Sequence, residues 1–197
     1  MPKMKADNRT RLLQAAEKIT YRYGFAQTAI ADIAKEAKIP LGNVYYYFRT
    51  KDAIGDAIVE LRVSRFKKLL RELDKAGSPK ERLCAFVQIK INNRDSLARS
   101  GCPVGTLCSE LHKHGGPVAR KSTALFAEAL AWMETQFQAL GKGADSRGLA
   151  VHLLSATQGV SVLAHTFHDP AMITSEAERL QQWIRALETE APRIAPS

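Results

Sequence analysis

Apolar residues recur at helical spacing from the start of the chain. Residues 7–23 predict a first helix, because four apolar side chains fall on one face of it; they are Leu12, Ala16, Ile19 and Tyr23. Gly24 follows directly and is a typical helix stop. A first helix that buries one face therefore opens the chain.

The same spacing continues to the far end and predicts an all-α fold of about nine helices. Ser78-Pro79-Lys80-Glu81 is a capping box with proline at the first helical position, and Asp169 is a cap for the last helix. No segment alternates apolar and polar residues in the manner of a strand. The predicted helices cover residues 7–23, 28–37, 40–48, 51–76, 79–100, 104–113, 118–140, 144–168 and 170–191.

The second and third predicted helices lie within Thr28–Lys51 and are joined by a tight turn. Pro40 has a fixed φ and no N–H, so it belongs at the start of the third helix. In that helix Val44 and Phe48 are four residues apart and can pack inward, which leaves Asn43 pointing elsewhere. A short helix that presents an amide and phenols from a small core fits a DNA major groove.

Charge strengthens this interpretation. The chain of 197 residues has 45% hydrophobic residues and a net charge of +9. Residues 1–51 hold ten Lys and Arg against four Asp and Glu, whereas residues 52–197 hold nineteen against sixteen. The excess of positive charge therefore coincides with the helix pair, as expected for a phosphate-binding face; a solvated basic surface is the alternative.

Three cysteines and the lack of a secretory leader favour a cytoplasmic protein with reduced thiols. Gly148–His168 has no formally charged residue and is long enough to span a bilayer. It also holds three histidines and several hydroxyl side chains, which are costly in lipid. We therefore expect a helix buried between protein surfaces and no membrane partner.

The Thr28–Lys51 stretch resembles the DNA-binding motif of TetR-family (tetracycline-repressor-like) regulators. The matching run is T-x4-IA-x2-A, then G-x2-Y and F-x2-K, in the family's order and spacing. Lys38 replaces the usual turn glycine, Pro40 the usual serine, and Tyr47 a common histidine. The resemblance implies an N-terminal three-helix helix-turn-helix head at residues 1–50. It also implies a C-terminal helical ligand-binding and dimerisation domain at residues 51–197.

Carried over residue by residue, the resemblance implies a DNA-binding set. Thr28 and Lys51 would hold phosphates, and Asn43 would read a base edge, because its amide can pair with adenine. The two tyrosines would contact phosphates or thymine methyls, with packing as the alternative. The predicted set is Thr28, Leu41, Gly42, Asn43, Tyr45, Tyr46 and Lys51.

The resemblance also implies a small-molecule effector site in the C-terminal region. The break at Gly101-Cys102-Pro103 resembles one seen in a C-terminal domain type of this family. A pocket between the middle helices could draw on Phe86, Ile89, Cys102, Cys108, Leu111, Phe126, Trp132 and Gln158. Most of these lie at helical spacing, so core packing is the alternative for each of them.

A homodimer is expected from the last two helices. Their heptad-like stripe could pair with that of a second copy, next to a helix rich in small residues. A paired DNA reader needs two-fold symmetry, because its half-sites lie one helical turn apart. The predicted interface is Gly159, Ile173, Ala177, Leu180, Trp183, Ile184 and Leu187, and packing inside one chain is the alternative.

The sequence therefore predicts a ligand-responsive regulator, a repressor that binds a near-palindromic double-stranded DNA operator as a dimer and is released by an unknown small molecule. It predicts no catalytic residue, metal or cofactor. One alternative uses Cys102 and Cys108 for thiol or metal sensing, because Cys108 and His112 share one helix face. A helical hydrolase lacks a nucleophile motif, and an adaptor without DNA binding would not need the polar third helix.

Overall fold

The computed structural model describes the backbone of residues 2–188 and the side chains of residues 8–188. All regular structure in these residues is helical, so the predicted all-α fold is confirmed. A short 3-10 turn, Gly143–Asp145, accompanies ten α-helices. These are α1 (Pro2–Tyr23), α2 (Ile30–Ala37), α3 (Leu41–Tyr47), α4 (Lys51–Leu73), α5 (Pro79–Asn92), α6 (Arg94–Ser100), α7 (Pro103–His114), α8 (Gly116–Ala139), α9 (Ser146–Phe167) and α10 (Pro170–Ala186).

Side-chain caps begin three of these helices, and at α5 and α10 they are the caps that the sequence predicts. At α5 the Ser78 hydroxyl accepts from the Glu81 N–H at 3.3 Å, and the Glu81 carboxylate accepts from the Ser78 N–H at 2.6 Å. Thr50 Oγ1 accepts from the Ala53 N–H of α4, and Asp169 Oδ1 accepts from the Ala171 N–H of α10. Each bond satisfies an N–H that the helix itself leaves without a partner.

The predicted helix over residues 79–100 is interrupted at Asn93, which separates α5 from α6. The Asn93 side-chain amide donates to the Ile89 carbonyl at 2.8 Å, and its backbone has φ −111° and ψ 11°. A short amide side chain competes with the backbone for such carbonyls and favours a turn. The C-terminal helix ends at Ala186, and the predicted end at residue 191 lies outside the described residues.

The chain divides into two compact units. Unit 1 comprises Met1–Arg65 and Pro103–Leu125, and unit 2 comprises Phe66–Cys102 and Phe126–Ser197. In unit 1 the predicted inward face of α1 is confirmed except for Tyr23, which is 62% exposed. The core of unit 1 includes Leu12, Ala16, Ile33, Ala34, Val44, Phe48, Ile54, Ile58, Leu107, Leu111 and Val118.

The core of unit 2 draws on five helices. Its fully buried residues include Leu83, Val87, Met133, Phe137, Leu153 and Ile184. Within this unit α9 buries Leu153 and Ala164 but exposes other apolar residues, so the uncharged Gly148–His168 segment is buried on one side only. Among the described helices none is long and apolar enough to cross a membrane.

The turn between α2 and α3 has an unusual residue at its key position. Lys38 follows α2 with φ 54° and ψ 46°, in the left-handed region. The Ile39 N–H donates to the Ala34 carbonyl at 3.0 Å, which closes the helix end. Arg11 of α1 donates to the Ala37 carbonyl at 2.8 Å. Pro40 is the N-cap of α3, one position before the first helical position that the sequence predicts for it.

Candidate nucleic-acid interface

Helix α3 divides its side chains between the core of unit 1 and solvent. Val44 is completely buried and Phe48 nearly so, which anchors the helix. On the opposite side of the helix five of the predicted DNA-binding residues are exposed; they are Leu41, Gly42, Asn43, Tyr45 and Tyr46. A β-carbon at Gly42 would contact nothing within 4 Å. Five of the seven predicted DNA-binding residues therefore form one accessible surface, which we call the reading face.

Tyr47 supports the reading face from beneath. Its ring packs against the core of unit 1 and meets the Tyr46 ring edge-on, with 5.0 Å between ring centroids. Such an edge-to-face pair restricts the orientation of the exposed ring. The residue that replaces the family's histidine thus contacts a predicted DNA-binding tyrosine.

The two other predicted DNA-binding residues are engaged inside unit 1. Thr28 is only 3% exposed, and its hydroxyl donates to the Gly24 carbonyl at 2.7 Å. The Lys51 ammonium donates to the Ala26 carbonyl at 2.8 Å and lies 5.1 Å from the centre of the Phe25 ring. Their placement favours roles in shaping the loop before α2, and phosphate contacts by these two residues stay a prediction.

Positive charge surrounds the helix pair. Arg9, Arg22, Lys35 and Arg49 are exposed on unit 1. The Lys18 ammonium hydrogen-bonds the Glu36 carboxylate and lowers the pKa of that carboxyl, so this acid stays ionised and neutralises one cation. The remaining exposed cations give the head the charge that binding to phosphates requires.

The predicted effector residues are divided between the two units. In unit 2 the Phe86 and Trp132 rings lie 5.9 Å apart, and Phe126 packs against the same core. Trp132 Nε1 donates to the Asp74 carboxylate at 2.8 Å. Ile89 and Gln158 are half-buried and Cys102 is buried in this unit, whereas Cys108 and Leu111 belong to unit 1. Aromatic packing in unit 2 is thus the part of the predicted set that the structure brings together.

The cysteines are largely withdrawn from solvent. Cys102 and Cys108 are buried, and the Cys108 thiol donates to the Ser122 carbonyl at 3.5 Å. Cys84 is half-buried, and burial raises the pKa of its thiol. A raised pKa means less thiolate and slower reaction. No group of three His, Cys, Asp or Glu able to hold a metal occurs among the described side chains.

The predicted dimer stripe on α10 lies mostly inside unit 2, which corrects its assignment to an interface. Ile173, Ala177, Leu180 and Ile184 are each at most 4% exposed in a single chain, and Trp183 and Leu187 pack against the same core. These residues are therefore accounted for by packing within one copy, which was the alternative. Of the predicted set only Gly159 on α9 is exposed.

The accessible apolar surface lies on other residues of α9, outside the predicted interface set. Val162 and Phe167 are each 64% exposed and Leu163 is 52% exposed. A groove of about 660 Å³ between α9 and α10 runs beside Gly159 and Leu163 and is also lined by Met172 and Ser175. The sequence does carry a sign of this exposed apolar surface: apolar residues occur on every side of the uncharged α9 segment, so one helix cannot bury all of them in a single core.

Known proteins share both the head and the fold. The sequence profile described as bacterial regulatory proteins, tetR family, matches residues 12–58. The HTH-type transcriptional repressor NemR of Escherichia coli K12 is 31% identical over 108 residues, which cover 53% of this chain and 54% of NemR. The HTH-type transcriptional regulator YxaF of Bacillus subtilis is 24% identical over 92% of this chain and 97% of its own.

The matched segment thus spans about half the length of the first of these curated relatives. A TetR transcriptional regulator from Chloroflexus aurantiacus superposes with a TM-score of 0.84 at 19% identity, over 97% of this chain and all of that one. The reduced form of E. coli NemR superposes with a TM-score of 0.75 at 20% identity, over 95% of this chain and all of NemR. The head of this chain therefore matches the tetR family of bacterial regulatory proteins over residues 12–58, and the fold along its length is the one that these solved TetR regulators have.

Proposed function

We propose that the chain is a ligand-responsive transcriptional repressor that binds a near-palindromic DNA operator as a homodimer. The observation that carries the proposal is the reading face: Asn43 is exposed between Leu41 and Tyr46 on a helix anchored by Val44 and Phe48. An exposed amide on a short, rigidly held helix can form two hydrogen bonds with adenine. The surrounding cations supply the nonspecific part of the binding energy.

Selection from a random library of DNA duplexes tests this function. We expect enrichment of a sequence with two related half-sites about one helical turn apart, because a symmetric dimer presents two reading faces. Substitution Asn43→Ala should weaken binding to the selected duplex by roughly tenfold or more and relax the preference at one base pair of each half-site. Asn92→Ala, an exposed asparagine at the end of α5, is the matched control. Equal binding of all duplexes at a fixed salt concentration would refute the proposal.

We assign the dimer interface to the exposed side of α9 and its groove with α10. Leu163 and Phe167 are large apolar side chains left open in one copy, and the groove beside Gly159 can receive side chains of a second copy. Leu163→Asp should shift the sedimentation coefficient to that of a monomer and abolish operator binding at the same protein concentration. Ala131→Asp adds the same charge to an exposed position of α8 and should leave the dimer intact.

The effector in this proposal is a small molecule that binds unit 2 beside Phe86 and Trp132. Helix α4 is continuous from Lys51, next to the reading helix, to Leu73 in unit 2, so a ligand that favours one setting of α4 changes operator affinity. The change is limited by the ligand's preference for one of the two states. A small-molecule screen by thermal unfolding identifies such a ligand, which must also release the selected duplex.

Thiol or metal sensing at Cys102 and Cys108 has less support. Both thiols are buried, and the described residues contain no three-ligand cluster. A thiol titration of the folded protein measures this directly: reaction of either cysteine as fast as a free thiol would restore the alternative.

A further inference from the structure

The loop that connects α1 to α2 is held from two sides by side chains of opposite charge. The Ala26 N–H donates to Glu110 Oε2 of α7 at 3.0 Å, and the Ala26 carbonyl accepts from Lys51 Nζ of α4 at 2.8 Å. Glu110 is 84 residues away from Ala26 in the sequence. The loop, Lys51 and α7 all belong to unit 1. One residue of the loop is thus bound through both of its backbone groups by charged side chains, which form stronger hydrogen bonds than neutral ones.

Close approach at this loop depends on small residues. Gly24 has φ +88°, and a β-carbon there would lie 2.8 Å from Glu110 Oε1. A β-carbon at Gly55 would lie 2.9 Å from the Phe25 ring, which the Lys51 ammonium also contacts. Glycine at both positions therefore lets Glu110 reach the loop and lets the loop pack on α4.

We propose that Glu110 and Lys51 form a clamp on Ala26 that positions α2, and with it the reading face, for DNA binding. The inference rests on the proposed DNA-binding function and adds two positioning residues to it. The chain from Ala26 to the start of α2 at Ile30 is only four residues long, and the buried hydroxyl of Thr28 ties its middle to Gly24. Release of Ala26 therefore removes the hydrogen bonds that tie the loop before α2 to α4 and to α7.

The clamp makes α7 part of the DNA-binding head although it begins about fifty residues beyond the predicted boundary. The first residue of α7 is also held, because the Arg62 guanidinium donates to the Pro103 carbonyl at 2.7 Å. Arg62 in turn lies 3.6 Å from the Glu17 carboxylate of α1. A displacement of α7 would therefore reach the start of α2 through Glu110 directly.

Salt dependence separates positioning from a phosphate contact. Each phosphate contact contributes about 0.9 to the slope of log affinity against log salt concentration. Glu110→Ala should weaken binding to the selected duplex roughly tenfold with the slope unchanged, because no phosphate contact is removed. Lys51→Met should do the same. A slope lowered by about 0.9 in Lys51→Met would show instead that Lys51 binds phosphate, and would overturn its assignment to the clamp.

Rescue and amide exchange test the bond itself. Glu110→Gln keeps an oxygen that can accept from the Ala26 N–H, so its affinity should lie between those of wild type and Glu110→Ala. Without DNA, the Ala26 amide should exchange with solvent about tenfold faster in Glu110→Ala than in wild type. Glu81→Ala removes a similar carboxylate-to-N–H bond in unit 2 and is the matched control for operator affinity.

The two proposals fail differently. A wild-type protein without sequence preference would overturn the proposed function. A selective wild type whose Glu110→Ala variant binds with equal affinity, or whose Ala26 amide exchanges at the wild-type rate in that variant, would overturn the clamp alone. If Glu110→Ala is unfolded by circular dichroism, Glu110→Gln and Lys51→Met provide the same comparisons.

Discussion

Lys38→Gly should relieve backbone strain, because Lys38 has a left-handed backbone at the end of α2. In a residue with a β-carbon this conformation destabilises the folded state by about 1–2 kcal/mol. Glycine avoids that strain, but its greater freedom in the unfolded chain lowers the stability of the fold by roughly 0.5–1 kcal/mol. The bond from the Ile39 N–H to the Ala34 carbonyl involves only backbone atoms and survives the substitution.

Loss of the lysine charge complicates a comparison with wild type, since a cation near a helix C-terminus is worth about 0.3–1 kcal/mol. Lys38→Ala loses the same charge and keeps the β-carbon, so it is the matched reference. Lys38→Gly should therefore exceed Lys38→Ala by about 0.5–1 kcal/mol in free energy of unfolding. In a chain of this length that difference raises the melting temperature by about 1–4 °C.

Thermal and urea unfolding of the two variants at one protein concentration provide the measurement, because a dimer's melting temperature depends on concentration. A Lys38→Gly variant no more stable than Lys38→Ala would show that the turn stores no left-handed strain. Equal losses of stability in both variants, relative to wild type, would assign the effect to the missing charge alone.

Three side chains of unit 2 make hydrogen bonds whose loss should lower the stability of the fold. Ser78→Ala should lower the free energy of unfolding by about 1 kcal/mol in urea, because it removes the cap of α5. Hydrogen bonds from the Ser78 N–H and hydroxyl lower the pKa of Glu81, so the Glu81 carboxylate should stabilise the fold above pH 4.5 and lose that effect as the pH falls through its lowered pKa. If Glu81→Gln remained less stable than wild type in acid, the expectation would be wrong. Trp132→Phe should cost about 1–3 kcal/mol in urea unfolding, because Asp74 loses the indole N–H that binds it.

Helix ends that depend on local chemistry could be predicted from the sequence. The capping box of α5 and the Asp169 cap of α10 each involve residues within three positions, so their pattern can be read along the chain. The break at Asn93 is equally local, yet it was missed because the apolar spacing continues across it. A single asparagine is compatible with a helix, and only its bond to the Ile89 carbonyl shows that it ends one.

The stripe on α10 shows a different limit of periodicity. The helical spacing correctly indicates that one face of α10 is buried; its residues are Ile173, Ala177, Leu180 and Ile184. The spacing does not indicate whether this face packs against the same chain or against a second copy. In the structure it packs within unit 2 of the same chain. The apolar surface left for a second copy, around Leu163 and Phe167, lies on the neighbouring helix, where no clean stripe marks it.

The reading face was predictable because its motif is contiguous, whereas the support of the head was not. Leu107, Leu111 and Val118, from α7 and the start of α8, pack in the same core as Val44. Residues 1–50 are therefore not a complete unit of packing, since a head cut at residue 50 would expose that core. Contacts between residues so distant in sequence leave no spacing signal. For that reason the residues that would couple a signal to DNA, Glu110 first among them, had to come from the structure.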